Sequence, residues 1–117
     1  MIMTAHVFNE NLDKNYPATL SYNINTKLLR EELGYKGVLV TDDLQMSAIS
    51  KHYDLKQTLT LAINSGVNML LFANQLAKPV TLKEIVDTVY LQVQNKQISL
   101  QKIINSNNKI DKLLNNI

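Results

Sequence analysis

Two adjacent carboxylates, Asp42 and Asp43, follow an apolar β-branched stretch in the run Gly37-Val-Leu-Val-Thr-Asp-Asp-Leu-Gln-Met46. A carboxylate at such a place can act as nucleophile or base, or can cap the following turn by accepting backbone N–H groups. His6 also follows an apolar run, and its imidazole could donate, accept or line a pocket. Met46 offers a thioether that fits irregular apolar contacts, in a pocket or in a core. His52 reads as a surface residue. Two well-separated histidines and no cysteine give no metal constellation. Three glycines could hardly supply a phosphate-binding loop, so no cofactor or metal is expected.

These side chains need strands to position them. Ile2 to Ala5, Val38 to Thr41 and Met69 to Ala73 are short apolar runs, each followed by polar residues and then a helical pattern. Strands alternating with helices imply βα units and a parallel sheet. The runs are about 30 to 36 residues apart, the length of a βαβ crossover. Val38 to Thr41 suits a strand buried on both faces, which puts Asp42 and Asp43 at its C-terminal end, where ligands collect in parallel folds. A first helix is expected within Ser21 to Leu33, capped by Ser21 and ended by Gly34, with Ile24, Leu28, Leu29 and Leu33 facing inward. A second runs from Leu55 to Ser65 between an Asp54 cap and Gly66, burying Leu55, Leu59, Ala62 and Ile63. A third starts at the capping box Thr81-Leu-Lys-Glu84 and buries Ile85, Val86, Val89 and Val93. A last helix follows Ser99, with apolar residues from Leu100 to Leu114. Pro17 and Pro79 fall in connections, where a missing N–H costs little.

Composition bounds the remaining classes. The 117 residues make one domain, 45% of them hydrophobic. The net charge of +2 comes from scattered basic residues, which argues against nucleic-acid binding. No apolar stretch approaches the ~20 residues of a membrane span. The N-terminal residues carry no basic region ahead of a long apolar one, so a cytoplasmic location is expected. Three parallel strands would leave two open edges, and the first begins at the second residue. The chain therefore reads as a slice of a larger α/β protein.

Met3-Thr-Ala-His6, Tyr16-Pro-Ala-Thr-Leu-Ser21, Leu28-Leu-Arg-Glu-Glu-Leu-Gly-Tyr-Lys-Gly-Val-Leu-Val-Thr-Asp-Asp-Leu-Gln-Met46 and Ala62-Ile-Asn-Ser-Gly-Val-Asn-Met-Leu-Leu71 occur in this order. Together they resemble family 3 glycoside hydrolases, in the branch of bacterial β-N-acetylglucosaminidases (β-N-acetylhexosaminidases) that recycle peptidoglycan. The likeness covers most of the chain and weakens after about Leu82. It implies an incomplete TIM-type barrel, the last three βα units, with residues 1–117 as the C-terminal third of the catalytic domain. It also implies that Asp42 is the nucleophile of a retaining glycosidase acting on an N-acetylglucosamine-containing glycan. Asp43 receives no catalytic role from it and is expected to cap or to sit on the surface, its loss costing about 0.5–2 kcal/mol if it caps. His6 and Met46 would line the sugar site; a structural histidine and a core methionine are the alternatives.

One departure counts as much as the match. That branch takes its acid/base from a histidine in a Lys-His-Phe-Pro-Gly-His-Gly type motif, which does not occur here. The chain alone is therefore expected to be inactive. A non-catalytic piece that self-associates, or docks on a separate N-terminal chain, is the alternative. A signalling receiver domain is the remaining comparison. It needs its acidic pair on the first strand and an acceptor Asp after the third, and Leu71-Phe-Ala-Asn74 supplies none.

Overall fold

The computed structural model describes residues 1–75 and 78–117. Two short parallel strands, β1 (Ile2–Met3) and β2 (Leu39–Val40), pair with Ile2 opposite Leu39 and Met3 opposite Val40. Thr4 N–H extends the pairing by donating to Val40 O at 2.8 Å. Val38, Leu39, Val40 and Thr41 are all buried, as a strand covered on both faces requires.

The expected third strand, Met69 to Ala73, is reduced to a single parallel bridge between Val40 and Met69. Side chains explain why. Asn68 Oδ1 accepts the Leu39 N–H at 2.9 Å, and Thr41 Oγ1 accepts the Leu71 N–H at 2.9 Å. Backbone groups on both sides of the bridge are thus satisfied by an amide and a hydroxyl in place of carbonyls, and the ladder stops. The order of the three segments still places β2 in the middle, with both neighbours parallel to it.

The segment between β1 and β2 contains a 3₁₀ turn (Ala18–Leu20) and a ten-residue π-helix (Asn23–Glu32). Ser21 does act as the cap: its Oγ accepts the Ile24 N–H at 3.0 Å while its hydroxyl donates to Asp13. Gly34, at φ +75°, lies just past the end. The wide winding alters which side faces in. Leu33 is 70% exposed, whereas the polar Asn25 is buried. Asn25 Nδ2 donates to Ala18 O and Ser65 Oγ, and Thr26 Oγ1 donates to Ser65 O. Arg30, one π-turn beyond Asn25, donates to Gly37 O at 3.0 Å, Gly66 O at 2.9 Å and Asn68 Oδ1 at 2.8 Å.

Between β2 and Met69 lie a short helix, α1 (Ser47–Ser50), and α2 (Leu55–Ser65). The capping box of Asp54 and Gln57 opens α2, and Gly66 at φ +113° closes it. A Cβ at Gly66 would stand 2.6 Å from Thr26 Oγ1, so both conformation and space demand glycine there. Leu59, Ala62 and Ile63 are buried as expected, and Leu55 is half-buried. Leu20, Ile49 and Ala62 make a core cluster under Tyr16, Tyr53, Leu61 and Leu70.

Helix α3 (Leu82–Gln94) carries the Thr81–Glu84 capping box. Its apolar stripe closes less fully than its pattern suggests: Val86 is 54% exposed, while Gln92 is buried and donates to Thr60 Oγ1. Helix α4 (Leu100–Asn115) buries no residue completely. α2 packs on α3, and an apolar cleft of about 490 Å³, lined in part by Val67, Ile85, Val89 and Ile103, lies beside their contact. No helix among the described residues is long and apolar enough to cross a membrane.

Two polar nodes brace this arrangement. Burial pulls the Arg30 guanidinium below its ordinary pKa against the opposing effect of Tyr35, yet it remains a cation whose recorded partners are oxygen dipoles. Arg30→Met should therefore lower stability by about 2–4 kcal/mol in urea unfolding, because three inward-facing acceptors lose their donor. Arg30→Lys should recover only part of this, since an ammonium cannot reproduce the fork. At the second node burial pushes the Asp13 carboxyl up, but hydrogen bonds from Ser21, Asn15 and Tyr16 outweigh it and hold the pKa below the ordinary value. A depressed folded pKa gives stability that is full above the ordinary carboxylate range and is lost as pH falls through the folded value. Asp13→Asn should cost about 1 kcal/mol at neutral pH and converge on the wild type in strong acid, read by urea unfolding across pH.

Candidate active site

The turn after β2 gathers most of the chemistry-bearing residues. Asp42 is half-buried, and its Oδ1 accepts the Asp43 N–H at 2.8 Å. Its other oxygen makes no hydrogen bond among the described residues. Asp43, by contrast, is only 8% exposed. Its Oδ1 accepts Gln45 N–H at 3.0 Å and, from the segment after Met69, Ala73 N–H at 3.1 Å. It therefore caps its own turn, as one reading of the sequence expects, and also ties that turn to a segment 30 residues away. It is not a surface residue. The neighbours differ in burial and load: Asp43 is buried and its Oδ1 takes two backbone N–H groups, while Asp42 is half-buried and takes one.

His6 comes to this turn from the end of β1. Its Nε2 lies 2.7 Å from Asp43 O, and its Nδ1 lies 2.8 Å from Thr19 Oγ1. Both ring nitrogens are thus committed within the chain, which leaves only the ring's faces and edges to line a site. Met46 stands at the N-cap of α1, 36% exposed, and its N–H donates to Asp43 O at 3.2 Å. Asp42, Asp43, Met46 and His6 are therefore brought into one hydrogen-bonded group. His52 is not part of it; it is exposed and lies edge-on to Tyr53.

Sequence reasoning missed Gln45. It is buried, and its amide makes two bonds with Asn74: Nε2 donates to Asn74 Oδ1 at 2.9 Å and Oε1 accepts Asn74 N–H at 2.6 Å. Asn74 sits at φ +57°, a left-handed position that asparagine tolerates better than most residues. The available signal was a lone amide between two apolar positions of the Leu44-Gln-Met46 run. Among the described residues, no three His, Asp or Glu side chains come together as metal ligands.

A carboxylate at the C-terminal end of a parallel strand stands where α/β enzymes commonly carry their active sites. The comparisons narrow the class. The profile described as "Glycosyl hydrolase family 3 N terminal domain" matches residues 1–113, and the chain belongs to glycoside hydrolase family 3. It is 35% identical over 102 residues to the Bordetella parapertussis beta-hexosaminidase, covering 87% of this chain and 27% of that protein. The Thermotoga maritima beta-N-acetylglucosaminidase superposes with a TM-score of 0.84 at 31% identity, over 94% of this chain and 24% of that one. A family 3 beta-N-acetylglucosaminidase from a Paenibacillus strain gives 0.82 at 36% identity, over 95% and 21%. The chain thus spans about a quarter of the length of these relatives.

The two carboxylates should separate under mutation. Asp43→Ala leaves two N–H groups without an acceptor and should cost about 1–3 kcal/mol in urea unfolding. Asp42→Asn, which keeps an acceptor for Asp43 N–H, should change stability by less than about 0.5 kcal/mol.

Proposed function

We propose that this chain is the nucleophile-bearing part of a retaining β-N-acetylglucosaminidase, with Asp42 as nucleophile. The observation that carries the reading is the contrast within the turn: Asp43 is buried and its Oδ1 takes two backbone N–H groups, while Asp42 is half-buried and makes one hydrogen bond, its Oδ1 oriented by the Asp43 N–H. A retaining glycosidase needs one carboxylate to attack the anomeric carbon, forming a glycosyl-enzyme as the aglycone oxygen leaves with a proton. Water activated by the second group then releases the sugar. In this reading the β1, β2 and Met69 segments take the places of the sixth, seventh and eighth strands of a TIM-type barrel. The names of the relatives support N-acetyl-β-glucosaminides as substrates. Muropeptide-type sugars in the cytoplasm are the setting this proposal gives them.

The second group must come from outside these residues. The chain's two histidines are His6, with both nitrogens engaged, and His52, exposed and outside the site. A companion segment would meet the molecule at β1, where Met1, Ile2 and Met3 are exposed. That same exposed edge favours the second reading, a fragment that docks or self-associates without turnover.

The test is hydrolysis of a chromogenic N-acetyl-β-glucosaminide by this chain alone and mixed with the N-terminal part of a related enzyme. The chain alone should fall short by at least the ~10²–10⁴-fold that a missing general acid costs. The mixture should be active and Asp42→Asn should return it to background. A stable complex without turnover would favour the second reading, and activity indifferent to Asp42 would overturn the site.

A further inference from the structure

The partners of His6 decide where its protons sit. Asp43 O can only accept, so Nε2 carries a hydrogen and donates to it at 2.7 Å. In the neutral ring Nδ1 is then an acceptor, and the Thr19 hydroxyl at 2.8 Å donates to it. Thr19 Oγ1 is left to accept from the Thr4 hydroxyl at 2.8 Å. Thr19 is fully buried, so this bond is shielded from water. Donation runs in one direction, from Thr4 through Thr19 and His6 to the Asp43 carbonyl.

That carbonyl belongs to the residue on which Asp42 depends. Asp43 N–H orients Asp42 Oδ1, its side chain is held by Gln45 and Ala73, and its carbonyl is held by His6 and by Met46 N–H. Of these restraints, His6 is the one that comes from the β1 side, 37 residues away. The carbonyl and the N–H of Asp43 lie in successive peptide planes joined at its α-carbon, so removing the His6 bond loosens the Asp43 backbone dihedrals and, through them, the N–H that meets Asp42.

We propose that His6 is a positioning residue: held as the Nε2–H tautomer by Thr19 and Thr4, it clamps the Asp43 carbonyl and thereby aims the Asp42 carboxylate. Its functional meaning rests on the reading of Asp42 as nucleophile, but the clamp can be tested without turnover. Side-chain ¹H–¹⁵N correlations on the full chain, on the alkaline side of the imidazole titration, should show Nε2 protonated and Nδ1 bare. His6→Phe keeps a ring and removes both polar atoms. It should speed exchange of the Asp43 amide about tenfold and move the Asp42 carboxyl ¹³C signal. The Leu39 amide, bonded to Asn68, should be unchanged and so report an intact fold. Glutamine can place an N–H near the Nε2 position and asparagine only near Nδ1, so His6→Gln should restore both signals and His6→Asn should not. An Nδ1–H tautomer in the wild type, or wild-type Asp43 and Asp42 signals in His6→Asn, overturns the proposal even if His6→Phe fails to fold. Failure of the nucleophile reading would appear separately, as turnover unaffected by Asp42→Asn with these signals unchanged.

Discussion

One cation holds the strand-entry end of the molecule together. Arg30 donates to Gly37 O ahead of β2, to Gly66 O at the end of α2, and to the Asn68 amide that also accepts from β2. These points lie on two segments, the entry to β2 and the stretch after α2, neither of which offers a long backbone ladder. The π-helix, the entry to β2 and the exit from α2 consequently share one hub. Its bonds are charge-assisted, but they run to dipoles and not to a carboxylate, so the guanidinium has to be well placed to repay its partial burial.

The opposite end of β2 is organised by an anion in the complementary role. Asp43 receives N–H groups from its own turn and from the segment after Met69, while its carbonyl receives an imidazole N–H. Gln45 and Asn74 repeat the connection a step further along. The central strand is two residues long, yet side chains fix both of its ends. Asp42 stands next to this rigid point and makes a single hydrogen bond with its neighbour's backbone. The carboxylate proposed to react is thus carried by a turn that bonds from the β1 side and from the segment after Met69 hold in place.

Much of this was legible in sequence where local rules and tertiary needs agree. The buried run Val38 to Thr41, the Asp54 cap with Gly66, and the Thr81–Glu84 box each rest on a few adjacent residues, and each was found. The family was legible because several motifs occur in order. The third strand was overestimated because apolar patterning cannot say that Asn68 and Thr41 side chains take over backbone bonds. The inward face of the first crossover helix was read only in part: Ile24, Leu28 and Leu29 are half-buried, but Leu33 is exposed and Asn25 enters the core, because apolar spacing presumes α-helical winding. The commitment of both His6 nitrogens depends on Thr19 and Asp43, partners 13 and 37 residues away, which no local pattern reveals.

The π-helix also carries a consequence for how this chain can vary in length. A π-helix accommodates more residues per turn than an α-helix over the same contacts. Asn25, Thr26 and Arg30 reach Ser65, Gly66 and Asn68 only in that winding. Deleting one residue between Asn25 and Arg30 would let the segment relax to the commoner helix and turn the guanidinium away from its acceptors. Homologues shortened by one residue here should therefore have lost the arginine together with the residue, so that indel and side chain are inherited as one character.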